Sequence, residues 1–305
     1  MGEQLPGGAD SAPGSRCSSK NGVTTIVRGG VAVAKKEEIP CQRTEDILRH
    51  INVLLSDDTE GMDDSINALE KYGEDAATLI VDTLIKKSSQ PHIYSNLTAA
   101  LEGIGKASVS SLIHALGHIN DVKRPEDVYL IVSIVETLGR LKDKRSVVPL
   151  LEQLEKLNVR IRNNHNNILT DICEAAKIRI HSVLSELDAK DGLADLLTML
   201  GDGRRRIREG VIDSIAKIGD RRALLPLLRL YETETGISSA GAHRMKEVFR
   251  DIVRRENILQ DDKLFKPCSD IERQTLDKLY PKQRMQGNGN GSSNGNGHNT
   301  SKQLP

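Results

Sequence analysis

The chain has 305 residues and a mass of 33.5 kDa, and its 43 basic residues balance its 43 acidic residues, so the formal net charge is zero. A zero net charge excludes a global field that would draw the molecule toward nucleic acid or a membrane surface. Aromatic residues make up 2% of the chain, with no Trp and two Phe, which argues against a globular enzyme core and favours thin layers of aliphatic side chains.

The first 43 residues precede the predicted helical region. Residues 1–22 are rich in Gly, Ser and Pro, and this composition predicts a disordered tail. Residues 23–36 contain two β-prone runs around Gly29-Gly30, so the segment 23–43 is interpreted as a hairpin or a linker. No signal peptide is recognised, no apolar run reaches the roughly 18 residues of a membrane span, and the four cysteines are far apart. We therefore expect a cytoplasmic protein with reduced cysteines.

A helical region is predicted for residues 44–256, and it begins with a capping helix. Thr44 is followed by Glu45 and Asp46, a pattern that is typical of an N-cap and a first helical turn. We predict that this helix runs from Thr44 to Leu55.

Five copies of one pattern follow the capping helix. GRLKDKRSVVPLLEQL at 139–154 returns 77 positions later as AKIGDRRALLPLLRLY at 216–231, and further copies start at Leu69, Leu101 and Leu184. In each copy, apolar residues at helical spacing lead into a short turn, and a second apolar stripe follows. Recurrence in units of roughly 30 to 45 residues predicts an all-α fold, an α-solenoid of about five helix pairs.

Two segments depart from the repeat. Residues 158–170 lengthen the spacing between equivalent leucines and are interpreted as an extra loop, either a binding element or a neutral insertion. Residues 257–284 are predicted to be a C-terminal extension with a short helix around Asp270 to Leu279. The final 285–305, rich in Gly, Asn and Ser, is predicted to be a second disordered tail.

The repeat resembles the HEAT-like family, in its short subtype named after bilin lyases. The resemblance depends on a Leu-Gly step, a turn with Asp and Arg, and a Pro-Leu-Leu triplet, and it covers about residues 56–256. It is carried by Leu138, Gly139, Asp143, Arg145, Pro149, Leu150 and Leu151 in one unit, and by Ile218, Gly219, Asp220, Arg222, Ala223, Pro226, Leu227 and Leu228 in another. The resemblance implies a helical scaffold and leaves the function open.

Motifs that carry chemistry are sparse in this sequence. His114 and His118 stand at i and i+4 without a third ligand, so they are interpreted as surface or groove histidines, and no metal or cofactor site is predicted. A nucleophile elbow, a P-loop and a dinucleotide fingerprint do not occur in the sequence. An enzyme is therefore not favoured. The enzymatic alternative, implied by the resemblance alone, is a bilin lyase-like protein that delivers a chromophore to a cysteine.

A basic cluster, GRRRIREG at 203–210, lies near a second group of arginines. Three interpretations stay open: a solvated face or salt bridges between repeats, a site for an acidic protein partner, and a contact with the backbone of nucleic acid. Nucleic acid is the least favoured of the three because no Trp is available for stacking. The candidate partner-binding residues are Arg204, Arg205, Arg206, Arg208, Arg221 and Arg222.

The function predicted from the sequence is a non-enzymatic scaffold or adaptor for protein–protein interaction. Stacked helix pairs create a long surface, and we expect a protein partner to bind on the groove lined by the second helices and their preceding turns. The sequence does not indicate which protein that partner is, and membrane binding is not predicted.

Overall fold

The protein is all-α throughout the part of the chain that the structure, a computed structural model, describes: residues 41–56, 60–163, 167–201, 209–233 and 239–281. No strand occurs among these residues, so the all-α part of the predicted fold class is confirmed. The α-helices are α1 (Cys41–Leu54), α2 (Met62–Tyr72), α3 (Glu74–Lys86), α4 (Tyr94–Ile104), α5 (Val109–His118), α6 (Pro125–Leu141), α7 (Val147–Asn163), α8 (Asn167–Glu186), α9 (Leu193–Gly201), α10 (Glu209–Ile218), α11 (Arg221–Thr233), α12 (Ser239–Arg255) and α13 (Asp270–Leu279).

Several expectations concern residues outside the described ranges. These are the predicted tails 1–22 and 285–305 and residues 23–40 of the predicted hairpin or linker 23–43, whose last three residues belong to α1. Within the described ranges, no helix combines the length and the apolar composition that crossing a membrane requires.

The helices after α1 form two rows that follow chain order. We call α2, α4, α6, α8, α10 and α12 the first helices, and α3, α5, α7, α9, α11 and α13 the second helices. Each first helix packs against the next first helix. Among the second helices, α3 packs against α5, α5 against α7, α9 against α11, and α11 against α13, whereas α7 packs extensively against α8.

The five sequence copies coincide with five of these helix pairs. The equivalent apolar residue near the end of each first helix is buried: Leu69, Leu101, Leu138, Leu184 and Ile215. A short turn then leads into the second helix, and in three pairs it contains a 3-10 segment. The pattern therefore marks the boundary inside each pair.

The described residues beyond the fifth pair continue both rows. The predicted short helix has the expected bounds, since α13 runs from Asp270 to Leu279. It packs against α11, and α12 packs against α10, so α12 and α13 form a sixth pair. The sequence pattern faded at Glu256 because a longer turn, residues 256–269, separates these two helices.

Helix α1 begins earlier than predicted. Thr44 does not occupy the N-cap of α1, because the helix already starts at Cys41. The buried stripe of Ile47, Ile51 and Leu54 anchors this helix, and the residues just before Thr44 include no Gly or Pro that would stop it.

The predicted extra loop at 158–170 is also wrong for the described residues. Residues 158–163 belong to α7 and residues 167–170 to α8, while 164–166 lie outside the described ranges. Ile161 extends the apolar face that begins with Leu150, Leu154 and Leu157, so the additional residues lengthen the helices.

Two clusters of buried apolar side chains form the core. One extends from Ile47 to Ala189, and the other from Leu193 to Leu279. The boundary between them coincides with the 3-10 turn Lys190–Gly192, which joins α8 to α9.

Candidate functional site

Two turns of the repeat contain the same Asp-x-Arg pairing. The Asp143 carboxylate accepts the backbone N–H of Arg145 at 2.9 Å and also binds its guanidinium, with Nη2 at 2.8 Å. Asp220 accepts the corresponding bonds from Arg222 at 2.9 and 2.8 Å. The guanidinium hydrogen bonds, followed by the backbone bonds, lower the pKa of Asp143 to about 2 and the pKa of Asp220 below its ordinary value. The motif therefore fixes the turn before the second helix.

Of the six candidate partner-binding arginines, the structure describes two. Arg204, Arg205, Arg206 and Arg208 lie outside the described residues. Arg222 is bonded to Asp220, and Arg221 forms an ion pair with Asp262 in the following turn, at 3.3 Å. Arg222 is therefore paired inside its own turn and Arg221 links two turns, although both side chains are more than half exposed.

The second helix α7 presents a mixed apolar and acidic stripe to solvent. Val148, Glu152, Glu155 and Val159 are exposed along one side of the helix, opposite the buried Leu150 and Leu154. Val148 is 63% exposed and Val159 is 42% exposed, which are high values for aliphatic side chains of this fold. We call these four residues the α7 stripe. Its composition suits a segment that carries both apolar and basic side chains.

Two histidines meet on the neighbouring second helix, α5. His114 and His118 are exposed, and their Nε2 atoms are 3.0 Å apart. The ring centroids are separated by 4.2 Å, with the ring planes inclined at 70°. The i and i+4 spacing thus brings both ring nitrogens to one point.

A groove of about 370 Å³ separates the first helices α6 and α8. Its lining is mainly apolar and includes Tyr129, Val132 and Ile172. Ion pairs cross between successive first helices on the same side of the molecule, among them Arg179 of α8 with Glu136 of α6 at 3.0 Å. The charged side chains at this groove therefore already have partners within the chain.

A buried polar cluster joins α7, α8 and α9 where the two apolar cores meet. His181 of α8 is fully buried, and its Nε2 lies 2.6 Å from the Asp195 carboxylate of α9. Lys177 of α8, also buried, is 3.1 Å from the same carboxylate, and Asn158 of α7 donates to it at 2.9 Å. Among the described residues, His181 Nδ1 has no hydrogen-bond partner.

The electrostatics of Asp195 follow from these contacts. Burial by itself disfavours the carboxylate and raises its pKa, but the His181 hydrogen bond and the Lys177 ammonium outweigh burial and lower the pKa of Asp195 to about 2. His181 is enclosed by protein, so its ring is not presented to a substrate in solvent. The cluster is suited to fixing the packing of three helices.

Sequence reasoning missed this cluster for a definable reason. Asn158, Lys177, His181 and Asp195 are separated along the chain by intervals that match no known motif. The available signal was local: Lys177 and His181 interrupt the buried face of α8. A charged residue on such a face is expected to have a buried partner.

Comparisons with known proteins give no relatives. No family model matches the chain, no curated protein matches it, and no solved structure matches it. Among the described residues, no group of three or more His, Cys, Asp and Glu side chains is placed to hold a metal ion.

Proposed function

We propose that the chain is a HEAT-like α-solenoid that acts as a non-enzymatic scaffold for protein–protein interaction. The observation that carries this proposal is the double row of helices, in which first helices pack on first helices and most second helices on second helices. Such packing leaves one face of every second helix available over many repeats, which is how solenoid proteins form extended binding surfaces.

We place partner binding on the second-helix face, with the α7 stripe as its centre. Val148 and Val159 offer apolar contact area, and Glu152 provides negative charge between them together with Glu155, which is ion-paired with the exposed Arg162 at 3.0 Å. Exposed apolar side chains on a folded surface commonly mark interaction sites, and charge complementarity selects among partners. The proposed partner is a protein segment with apolar and basic side chains. Binding through the arginines at 204–208 is a separate prediction.

Cross-linking mass spectrometry with the full chain as bait tests this proposal. Lys86 is the last residue of the second helix α3 and Lys144 lies in the turn before the second helix α7, whereas Lys217 belongs to the first helix α10. The partner is expected to cross-link to Lys86 and Lys144. Cross-links confined to Lys217 would contradict the assignment of the face. A chromophore bound stoichiometrically to the purified chain would contradict the scaffold function itself.

A charge-reversal pair supplies the matched control. Glu152→Arg with Glu155→Arg should weaken capture of the partner strongly at low salt and less at high salt, because screening acts over about 8 Å at physiological ionic strength. Asp171→Arg reverses an exposed charge on the first helix α8 and should leave capture unchanged. Equal effects of the two reversals would argue against the α7 stripe.

A further inference from the structure

We propose that His114 and His118 form a bidentate site for a divalent transition metal, with Cu²⁺ as the preferred ion. This inference does not depend on the scaffold function. It starts from the 3.0 Å distance between the two Nε2 atoms, which lie on exposed rings one turn apart in the C-terminal half of α5. Imidazole nitrogen is a good ligand for copper, nickel and zinc.

The distance between the nitrogens is close to the separation of two adjacent ligands on one metal ion. With metal–nitrogen bonds of about 2.0–2.1 Å, two ligands at a right angle are about 2.9 Å apart, whereas two ligands at a tetrahedral angle are about 3.3 Å apart. The observed 3.0 Å is nearer to the right-angled arrangement. Adjacent positions of this kind belong to the square-planar or tetragonal sites of Cu²⁺ and Ni²⁺, and Cu²⁺ binds more tightly than Ni²⁺ to a given set of ligands.

The position of the two histidines near the C-terminal end of α5 also affects how strongly a metal cation binds. The C-terminal end of a helix carries partial negative charge, and His118 is the last residue of α5, so positive charge is favoured there. Lys156 already binds at this end of the helix, because its Nζ donates to the carbonyl of Gly117 at 3.2 Å. The positive charge of Lys156 opposes a bound metal ion. The described residues supply no third His, Cys, Asp or Glu ligand, so water or a partner's side chain would complete the coordination.

Metal binding replaces the direct contact between the two rings. At 3.0 Å one Nε2–H can donate to the other Nε2, and a metal requires that both nitrogens carry a lone pair. In the neutral hydrogen-bonded pair, one ring carries its proton on Nε2 and the other on Nδ1. When both Nε2 atoms bind the metal, the first ring changes to the Nδ1–H tautomer, so no net proton is released.

Electron paramagnetic resonance of the untagged full chain titrated with Cu²⁺ alone tests the site. The spectrum is expected to show coupling to two imidazole nitrogens. The loss of a residue that merely supports a metal ligand costs about 10- to 100-fold in affinity, so His118→Gln, which removes a ligand, should weaken this site by more than about tenfold. Circular dichroism of the variant confirms that the helices remain.

His243→Gln provides the matched control, because His243 is an exposed histidine on α12. It should leave the two-nitrogen signal and its affinity unchanged. The proposal is overturned if His118→Gln binds Cu²⁺ as tightly as the natural chain with the same spectrum. It is also overturned if both variants lose binding equally, or if the natural chain gives no two-nitrogen signal.

Discussion

At the scale of single residues, Asp195 is the side chain on which most buried charge depends. Its carboxylate is 21% exposed and lies between the buried Lys177 and His181. Removing one member of a buried ion pair leaves the other charge without compensation, which lowers the free energy of unfolding by roughly 3–5 kcal/mol. We therefore expect Asp195→Asn to lower the free energy of unfolding by about 3 kcal/mol at pH 7, measured by urea denaturation.

The acid range gives a second readout of the same prediction. Because the folded pKa of Asp195 is lowered to about 2 from 3.8, its contribution is complete above about pH 4 and is lost as the pH falls toward 2. This pH-dependent contribution to the free energy of unfolding amounts to about 2 kcal/mol. Asp195→Asn should remove it from the dependence of stability on pH. Asp191→Asn changes an exposed carboxylate of the adjoining turn and should shift stability by no more than about 0.5 kcal/mol. Similar losses in both variants would refute a special role for Asp195.

Residue-scale features also show where sequence reasoning reaches its limit. The Asp-x-Arg turns were visible because the motif recurs, and Asp143 and Asp220 do form equivalent hydrogen bonds. The Asp195 cluster occurs once and joins three helices, so no repetition could reveal it. The meeting of His114 and His118 was suggested by their spacing, but the distance between the rings depends on rotamers that sequence does not specify.

At the scale of helices, a glycine in the repeat sets how closely two first helices approach. A Cβ atom on Gly139 of α6 would lie 2.7 Å from a γ-methyl of Val183 on α8. The branched Val183 side chain has little freedom to rotate away, so the helices would have to separate. We expect Gly139→Ala to lower the free energy of unfolding by roughly 1–3 kcal/mol, as overpacked cores do.

Gly117 of α5 is the matched control for that substitution. It is also helical, and a Cβ at this position meets no atom within 4 Å. Gly117→Ala should therefore stabilise the protein by about 0.4–1 kcal/mol through the reduced entropy of the unfolded chain. Thermal unfolding of the two variants should shift in opposite directions. Two shifts of the same sign would contradict the close approach at Gly139.

Helix positions were largely predictable, whereas helix lengths were less so. The recurring apolar residue, the turn and the following stripe located five pair boundaries, because each unit has the same need to bury an apolar face. The lengths of α7 and α8 were not foreseen, since polar residues such as Asn163 resemble a loop when they lie on the exposed side of a helix. The pair α12–α13 was missed because its long turn disguises the pattern.

At the scale of the whole described chain, the two apolar cores divide the helices into an N-terminal and a C-terminal block. The division falls at Lys190–Gly192, where the polar contacts of Asp195 connect α7 and α8 to α9. Packing of α10 on α8 also crosses the boundary. Proteins open in cooperative units of different stability, so a polar contact between two apolar cores is a natural place for partial unfolding.

This arrangement predicts two cooperative blocks in native-state hydrogen exchange. Leu224→Ala removes a fully buried side chain from the C-terminal core, and Leu112→Ala does the same in the N-terminal core. Each substitution should destabilise its own block by about 2–5 kcal/mol. Leu224→Ala should therefore accelerate amide exchange mainly within 193–281, and Leu112→Ala mainly within 47–189, as measured by mass spectrometry of peptides. If the described chain instead unfolds as one unit, each variant will accelerate exchange in both ranges to the same extent. In that case, the contacts of Asp195 and the packing of α10 on α8 would couple the cores more strongly than their separation suggests.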